Sequence, residues 1–181
     1  MPRARRVYEP GVSAHVYQRG INCAAIFHEP ADYRCFLQLI RWAAVSHHVD
    51  VHAFVLMSNH YHLVATPASA SALPAAMKAI DGEYVRYYNR KHNRLGTLWC
   101  GRYQAKLLRD ERYFWTCFTY VERNPVEAGI VATAEDYPWS SYPVHAYGAQ
   151  SQWLVSHPLY TALGSTCDER QAAYRAIFAR L

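Results

Sequence analysis

No Cys-x-x-Cys pair occurs in this sequence, and its cysteines, at positions 23, 35, 100, 117 and 167, are scattered and odd in number. That argues against a zinc ribbon and against a secreted disulfide framework, and a reducing, cytoplasmic setting is expected. Long apolar runs are also missing. None reaches the length needed to span a bilayer, and no apolar stretch of the signal-peptide kind follows the basic start Met1-Pro2-Arg3-Ala4-Arg5-Arg6. No membrane partner is expected. Internal repeats and low-complexity segments are absent as well. What is left is 181 residues with 51% hydrophobic content, enough for one domain with a substantial core.

Basic residues and tyrosines stand out among what is present. The 19 Lys+Arg exceed the 14 Asp+Glu, giving a net charge of +5, a moderate excess that suits a polyanionic partner. Fifteen tyrosines bring the aromatic content to 14%. Tyrosine and arginine together serve surfaces that stack bases and hold phosphates, although most such rings also serve as core.

Hydrophobic periodicity orders the chain. Ser13 to Gly20 alternates and reads as a strand; Ala31 to His48 carries Phe36, Leu39, Ile40 and Ala43 on one helical face. A strand from Asp50 through His52, Phe54 and Leu56 is joined by the turn-forming Met57-Ser58-Asn59 to another from His60 to Thr66, which predicts an antiparallel hairpin. Leu73 to Asn89 returns to helical spacing. A fourth strand is expected within Trp99 to Leu108. Asp110 is placed to cap a helix that starts near Glu111 and stops near Asn124, because the residue before Pro125 is pushed out of the α region. Tyr137 to Tyr142 reads as an aromatic loop or short helix. The first six elements spell βαββαβ, so the expected fold class is α+β, a ferredoxin-like antiparallel sheet with an additional core helix after it. Residues 1–147 form the expected domain. Residues 148–181 form a helical extension outside the core.

The candidate site begins at His60 and His62. Residues two apart on a strand share a face, so both imidazoles point one way, with Tyr61 and Leu63 on the other, and together they can hold one divalent ion. On the last core helix Tyr120 and Asn124 are four apart and so neighbours on one face, beside the stripe of Phe114, Cys117, Phe118 and Val121. A hydroxyl that attacks a phosphodiester needs in-line positioning, an ion to absorb charge and an exit for its proton. Tyr120 would be that nucleophile, leaving a covalent 5′-phosphotyrosine. The Asn124 amide oxygen would complete the ligand set with His60 and His62. Mg2+ or Mn2+ suits such an open site, and two imidazoles alone do not separate these ions from zinc. The competing reading makes Tyr120 an ordinary half-buried helix tyrosine and Asn124 a helix-terminal residue.

Met57-Ser58-Asn59-His60-Tyr61-His62-Leu63, Gly101-Arg102-Tyr103, the run Tyr120 to Gly129 and Tyr137-Pro138-Trp139-Ser140-Ser141-Tyr142 occur in that order, and over roughly residues 5–145 the chain resembles the single-tyrosine HUH transposases, in particular the REP-associated tyrosine transposases of bacteria. The resemblance implies a ferredoxin-like fold, a Tyr120 nucleophile, and His60, His62 and Asn124 as metal ligands. It also implies action on REP-type hairpin DNA as an endonuclease and strand transferase. Many single-tyrosine transposases carry glutamine where this chain has Asn124, one methylene shorter. A hairpin-binding protein of the same fold that does not cut is the alternative function. A ferredoxin-like domain in which His60 and His62 hold no metal is a further one.

The expected DNA surface is basic. Nine basic and four acidic residues lie between Lys78 and Arg112. Arg86, Arg90, Lys91, Arg94 and Arg102 are candidate phosphate contacts, and Arg3, Arg5 and Arg6 form a candidate arm. Arg19 is a further candidate DNA-binding residue; Tyr17, Arg19 and Trp139 either touch bases or pack. Single-stranded or hairpin DNA is therefore the expected partner, with a monomer favoured over a homodimer.

Overall fold

The structure, a computed structural model, describes residues 8–181. Strands β1 (Ala14–Arg19), β2 (Val49–Met57), β3 (His60–Pro67) and β4 (Gln104–Leu107) form one antiparallel sheet in the order β2-β3-β1-β4. Helix α1 (Pro30–His47) leads from β1 to β2, α2 (Ala72–Lys91) from β3 to β4, and α3 (Glu111–Glu127) follows β4. This is the ferredoxin-like order with an added helix. The fourth strand lies within the expected stretch, with Gln104–Leu107 joining the ladder, and Trp99 makes an isolated bridge to Gly20.

The strand alternation sorts two cores. Ala14, Val16, Tyr61 and Leu63 pack on one face against Phe36 and Ile40 of α1 and Met77, Ile80 and Tyr84 of α2. Ala53, Val55, Met57 and Val64 pack on the other against Phe114, Phe118 and Val121 of α3. A bulge between Val51 and Ala53 shifts the alternation of β2, so Val49, Val51, Phe54 and Leu56 all serve the first core. Because α3 packs on β2 and β3, the β1–β4 half of that face stays open, with Tyr17, Arg19, Gln104 and Lys106 exposed. This asymmetry leaves an accessible floor beside the histidines.

Two expectations are corrected. α3 does not stop at Asn124: it runs through Pro125 to Glu127, and the Ala128 amide donates to the Asn124 carbonyl at 2.9 Å. Pro125 withholds one amide donor from the helix. The burial of Asn124 and Pro125 accompanies the continued turn. Asn124 therefore stays helical and keeps its four-residue relation to Tyr120.

Residues after 148 were expected outside the core, yet they join it. Beyond α4 (Tyr142–Tyr147) come α5 (Pro158–Thr161) and α6 (Cys167–Arg180), and Tyr160 and Tyr174 lie buried in the cluster of Phe114 and Phe118. The Tyr174 hydroxyl donates to Glu122 of α3, a fully buried carboxylate that also accepts from Ser141 Oγ and pairs with His145 Nδ1 at 2.7 Å. A buried carboxylate is tolerable only with such partners. The sequence puts Ala173, Ile177 and Phe178 on one side of α6; Ile177 and Phe178 pack, partly buried, against the cluster of Phe114 and Phe118 beside the fully buried Tyr174. Among the described residues no helix is long and apolar enough to cross a membrane.

Candidate active site

His60 and His62 share the α3 side of β3, with ring centroids 5.1 Å apart and the rings nearly perpendicular. Over them, the phase of α3 turns Phe114, Phe118 and Val121 into the core and leaves Tyr120 at the flank, 39% exposed. The Tyr120 ring lies edge-on to His62, centroids 5.5 Å apart. One helical turn on, Asn124 Oδ1 is 3.2 Å from His60 Nε2. The four residues singled out from the sequence thus converge within a single chain.

The hydrogen bonds around His60 test whether this set fits a cation. Asn59 Nδ2 donates to the Cys23 carbonyl at 3.2 Å, which orients the amide and leaves Asn59 Oδ1 facing His60 Nδ1 at 2.6 Å. A neutral imidazole has one N–H, and the shorter contact takes it. His60 Nε2 then presents a lone pair to the Asn124 oxygen, another acceptor. A cation between two acceptors this close would satisfy both of them. Their separation is about the ~3 Å expected for adjacent donors on an octahedral ion with ~2.1 Å bonds. Burial lowers the pKa of His60, helped by the nearby Arg19 charge and opposed by the Asn124 contact. Burial, then His15 and His60, pushes His62 well below its ordinary value. Both rings are therefore neutral ligand donors near pH 7, and two imidazoles with an amide oxygen fit an open divalent-cation site. Among the described residues no group of three or more His, Cys, Asp or Glu side chains forms a metal cluster, so an amide is needed to complete this one.

Two residues escaped the sequence reading. His15 of β1 places Nε2 2.8 Å from His62 Nδ1, with the rings stacked at 5.0 Å. Its pKa is lowered to about 4, mainly by burial and further by Lys106. The alternation of Ser13 to Gly20 already put His15, Tyr17 and Arg19 on one face; which residues of β3 they would meet was not visible. The structure pairs Tyr17 with His62 and Arg19 with His60. Asn59 was seen only as a turn residue.

Of the basic residues, Arg19 and Arg102 line a cavity of about 510 Å3 with Tyr17, Asn59, His60 and Gln104. Arg86, Arg90, Lys91 and Arg94 lie on or just after α2, across the sheet from Tyr120. There Arg86 pairs with Glu83, and Lys91 ties α2 to α1 through Glu29 and Asp32. Arg94 donates to the Thr97 carbonyl at 3.0 Å, and Arg90 is exposed. Arg3, Arg5 and Arg6 lie outside the described residues. Trp139 stacks on Tyr33 at 4.5 Å and packs, whereas Tyr17 is 40% exposed.

The fold, together with the motif order along the chain, defines the class of single-tyrosine HUH transposases. A family model described as "Transposase IS200 like" matches residues 11–124, well over half of the sequence, and the chain belongs to that family. No curated protein matches it. Among solved structures it is similar to a REP-associated tyrosine transposase bound to a REP hairpin, at 18% identity over 87% of this chain and 93% of that one, with a TM-score of 0.64. A Saccharomyces cerevisiae tRNA(His) guanylyltransferase aligns at 10% identity over 97% of this chain and 81% of its own, with a TM-score of 0.50. At these identities the likeness is one of fold.

Proposed function

We propose that this chain is a metal-dependent single-stranded DNA endonuclease and strand transferase acting on REP-type hairpins through a covalent 5′-phosphotyrosine at Tyr120. The observation that carries this reading is the convergence of an exposed tyrosine, 5.5 Å from His62, with the facing acceptors of His60 and Asn124 one turn along the same helix. Membership of a transposase family supports the DNA-cleaving class, and a fold neighbour bound to a REP hairpin supports the substrate.

In the proposed reaction Tyr120 Oη attacks the scissile phosphorus. The new O–P bond forms as the P–O3′ bond breaks, the phenol gives up its proton, and the departing 3′ oxygen takes one. The protein is left on the 5′ end and a 3′-hydroxyl is freed. Attack by another 3′-hydroxyl on the phosphotyrosine reverses the exchange and joins strands. A Mg2+ or Mn2+ ion held by His60, His62 and Asn124 would supply charge neutralisation at the phosphate oxygens. Tyr120 has room to reach a strand because its face of the sheet is open toward β1 and β4. There Arg19 and Arg102 would hold phosphates and Tyr17 would stack a base. Arg90 and Arg94 are placed to meet only a more distant part of the hairpin. All the site residues come from one chain, so a monomer suffices.

The test is incubation with a single-stranded REP-type hairpin and Mg2+ or Mn2+, followed by denaturing electrophoresis. A covalent protein–DNA adduct is expected. Tyr120→Phe should abolish the adduct and keep hairpin binding. An adduct that survives in the Phe variant would discard this nucleophile, and binding without cleavage by the wild type in Mn2+ would make the protein a hairpin binder only.

A further inference from the structure

His60 and His62 each have a partner on Nδ1, and the partners come from separate parts of the chain. Asn59 immediately precedes His60 and is braced by the loop after β1: the Gly20 amide donates to its carbonyl at 2.8 Å, and its own Nδ2 donates to Cys23. That loop is tight, with Asn22 and Cys23 both at positive φ. A Cβ on Gly20 would meet the Ala24 carbonyl at 2.3 Å. His15 reaches His62 from the neighbouring strand. It pairs in register with Val64, so His15 and His62 are diagonal cross-strand neighbours on one face, close enough for two imidazoles to touch.

We infer that His15 and Asn59 are positioning residues that keep the proton of both His62 and His60 on Nδ1, so that each ring offers Nε2 to the ion. This rests on the metal-centre reading above and adds two residues to it. The case of His60 is set by chemistry, since the oriented Asn59 oxygen can only accept. At His62 the neighbour is an imidazole, which can donate or accept. If His15 donated, His62 would carry its own proton on Nε2 and lose the nitrogen that the other ring presents. His15 must therefore accept through Nε2 and hold its proton on Nδ1. The His15–His62 contact is buried, so exchange of water for either ring is disfavoured and the arrangement is held through the fold. A partner on the far nitrogen of a metal-binding imidazole fixes its tautomer and ring orientation, and losing such a partner weakens metal affinity by roughly 10–100-fold.

Nitrogen-15 NMR of the metal-free protein, labelled on histidine, reads each tautomer directly. Mn2+ titration and hairpin retention on a gel read the consequences. Expected for the wild type are Nδ1-protonated His60 and His62. For His15→Leu, His62 should become a tautomer mixture and the Mn2+ dissociation constant should rise about 10–100-fold, with hairpin retention within about twofold of wild type. His15→Gln, which keeps an acceptor near the old Nε2, should return Mn2+ affinity to within a few-fold. Asn59→Asp should likewise keep His60 protonated on Nδ1. A wild type that binds Mn2+ with the His62 proton on Nε2, or a folded His15→Leu chain that binds Mn2+ as tightly as wild type, would overturn the inference alone. A wild type that binds no Mn2+ would overturn the metal centre and this inference with it.

Discussion

Asn124 shows how much a single side chain settles here. Its oxygen sits 3.2 Å from His60 Nε2. Residue 124 stays inside the helix, past the point where Pro125 would be expected to end it. Asn124→Ala should therefore weaken Mn2+ binding by at least about tenfold, as loss of a supporting group at a metal site does, with hairpin binding unchanged. Calorimetric Mn2+ titration beside a gel-shift assay checks this, and unchanged Mn2+ affinity would remove Asn124 from the ligand set. The identity and spacing of Tyr120 and Asn124 were legible in the sequence. The role of His15 was not, because nothing local to Ser13–Gly20 says which ring lies across from it.

At the scale of elements, α3 matters most, and it is held from behind. Its Glu122 is buried and satisfied by Ser141, His145 and Tyr174, so α4 and α6 fasten the helix that presents Tyr120 on its other side. Removing a donor from a buried acceptor costs roughly 1–3 kcal/mol. Tyr174→Phe should lower stability by about that amount in urea unfolding followed by circular dichroism. A change below about 0.5 kcal/mol would show that α6 does not brace the helix, since ordinary surface substitutions reach that size. The strands and the first two helices could be read from alternation and 3.6-residue spacing. The bracing could not, since a buried hydrogen-bond network has no period.

For the whole molecule, acid should act through the depressed histidines of the site and also through two that the reaction does not use. His157 Nδ1 accepts from the Leu159 amide at 3.1 Å, so its Nε2–H donates to Ser13 Oγ, also at 3.1 Å. Ser13 passes a hydrogen bond to Thr66, Thr66 to His52 Nε2, and His52 Nδ1 donates to the Val155 carbonyl. Every member is satisfied only while both rings are neutral. Burial, then the proximity of His52, lowers the pKa of His157 to about 4, and burial lowers that of His52. The folded values lie below the unfolded value of 6.5, so this contribution to stability is complete above pH 6.5 and shrinks as pH falls toward 4. Hydrogen exchange should show residues 155–163 loosening in that window; uniform protection down to pH 4 would refute it.

The basic surface belongs to the same scale. Arg19→Ala and Arg102→Ala should each weaken hairpin binding and flatten its dependence on log salt by about 0.7–0.9, whereas Arg86, paired with Glu83 across the sheet, should matter less. Equal effects at all three positions would place the DNA elsewhere.

By itself the sequence determined which residues lie on which face of each element, because side-chain direction along a strand or helix follows from backbone geometry alone. That was enough for the antiparallel hairpin, the shared direction of His60 and His62, and the Tyr120–Asn124 pair. Only the tertiary structure decided what each face meets. The register of β1 on β3 brings His15 and Tyr17 to His62, the cover of α3 leaves half a sheet face open, and the tail closes over Glu122. Such encounters join residues far apart in the chain and are selected by the packing of the whole molecule.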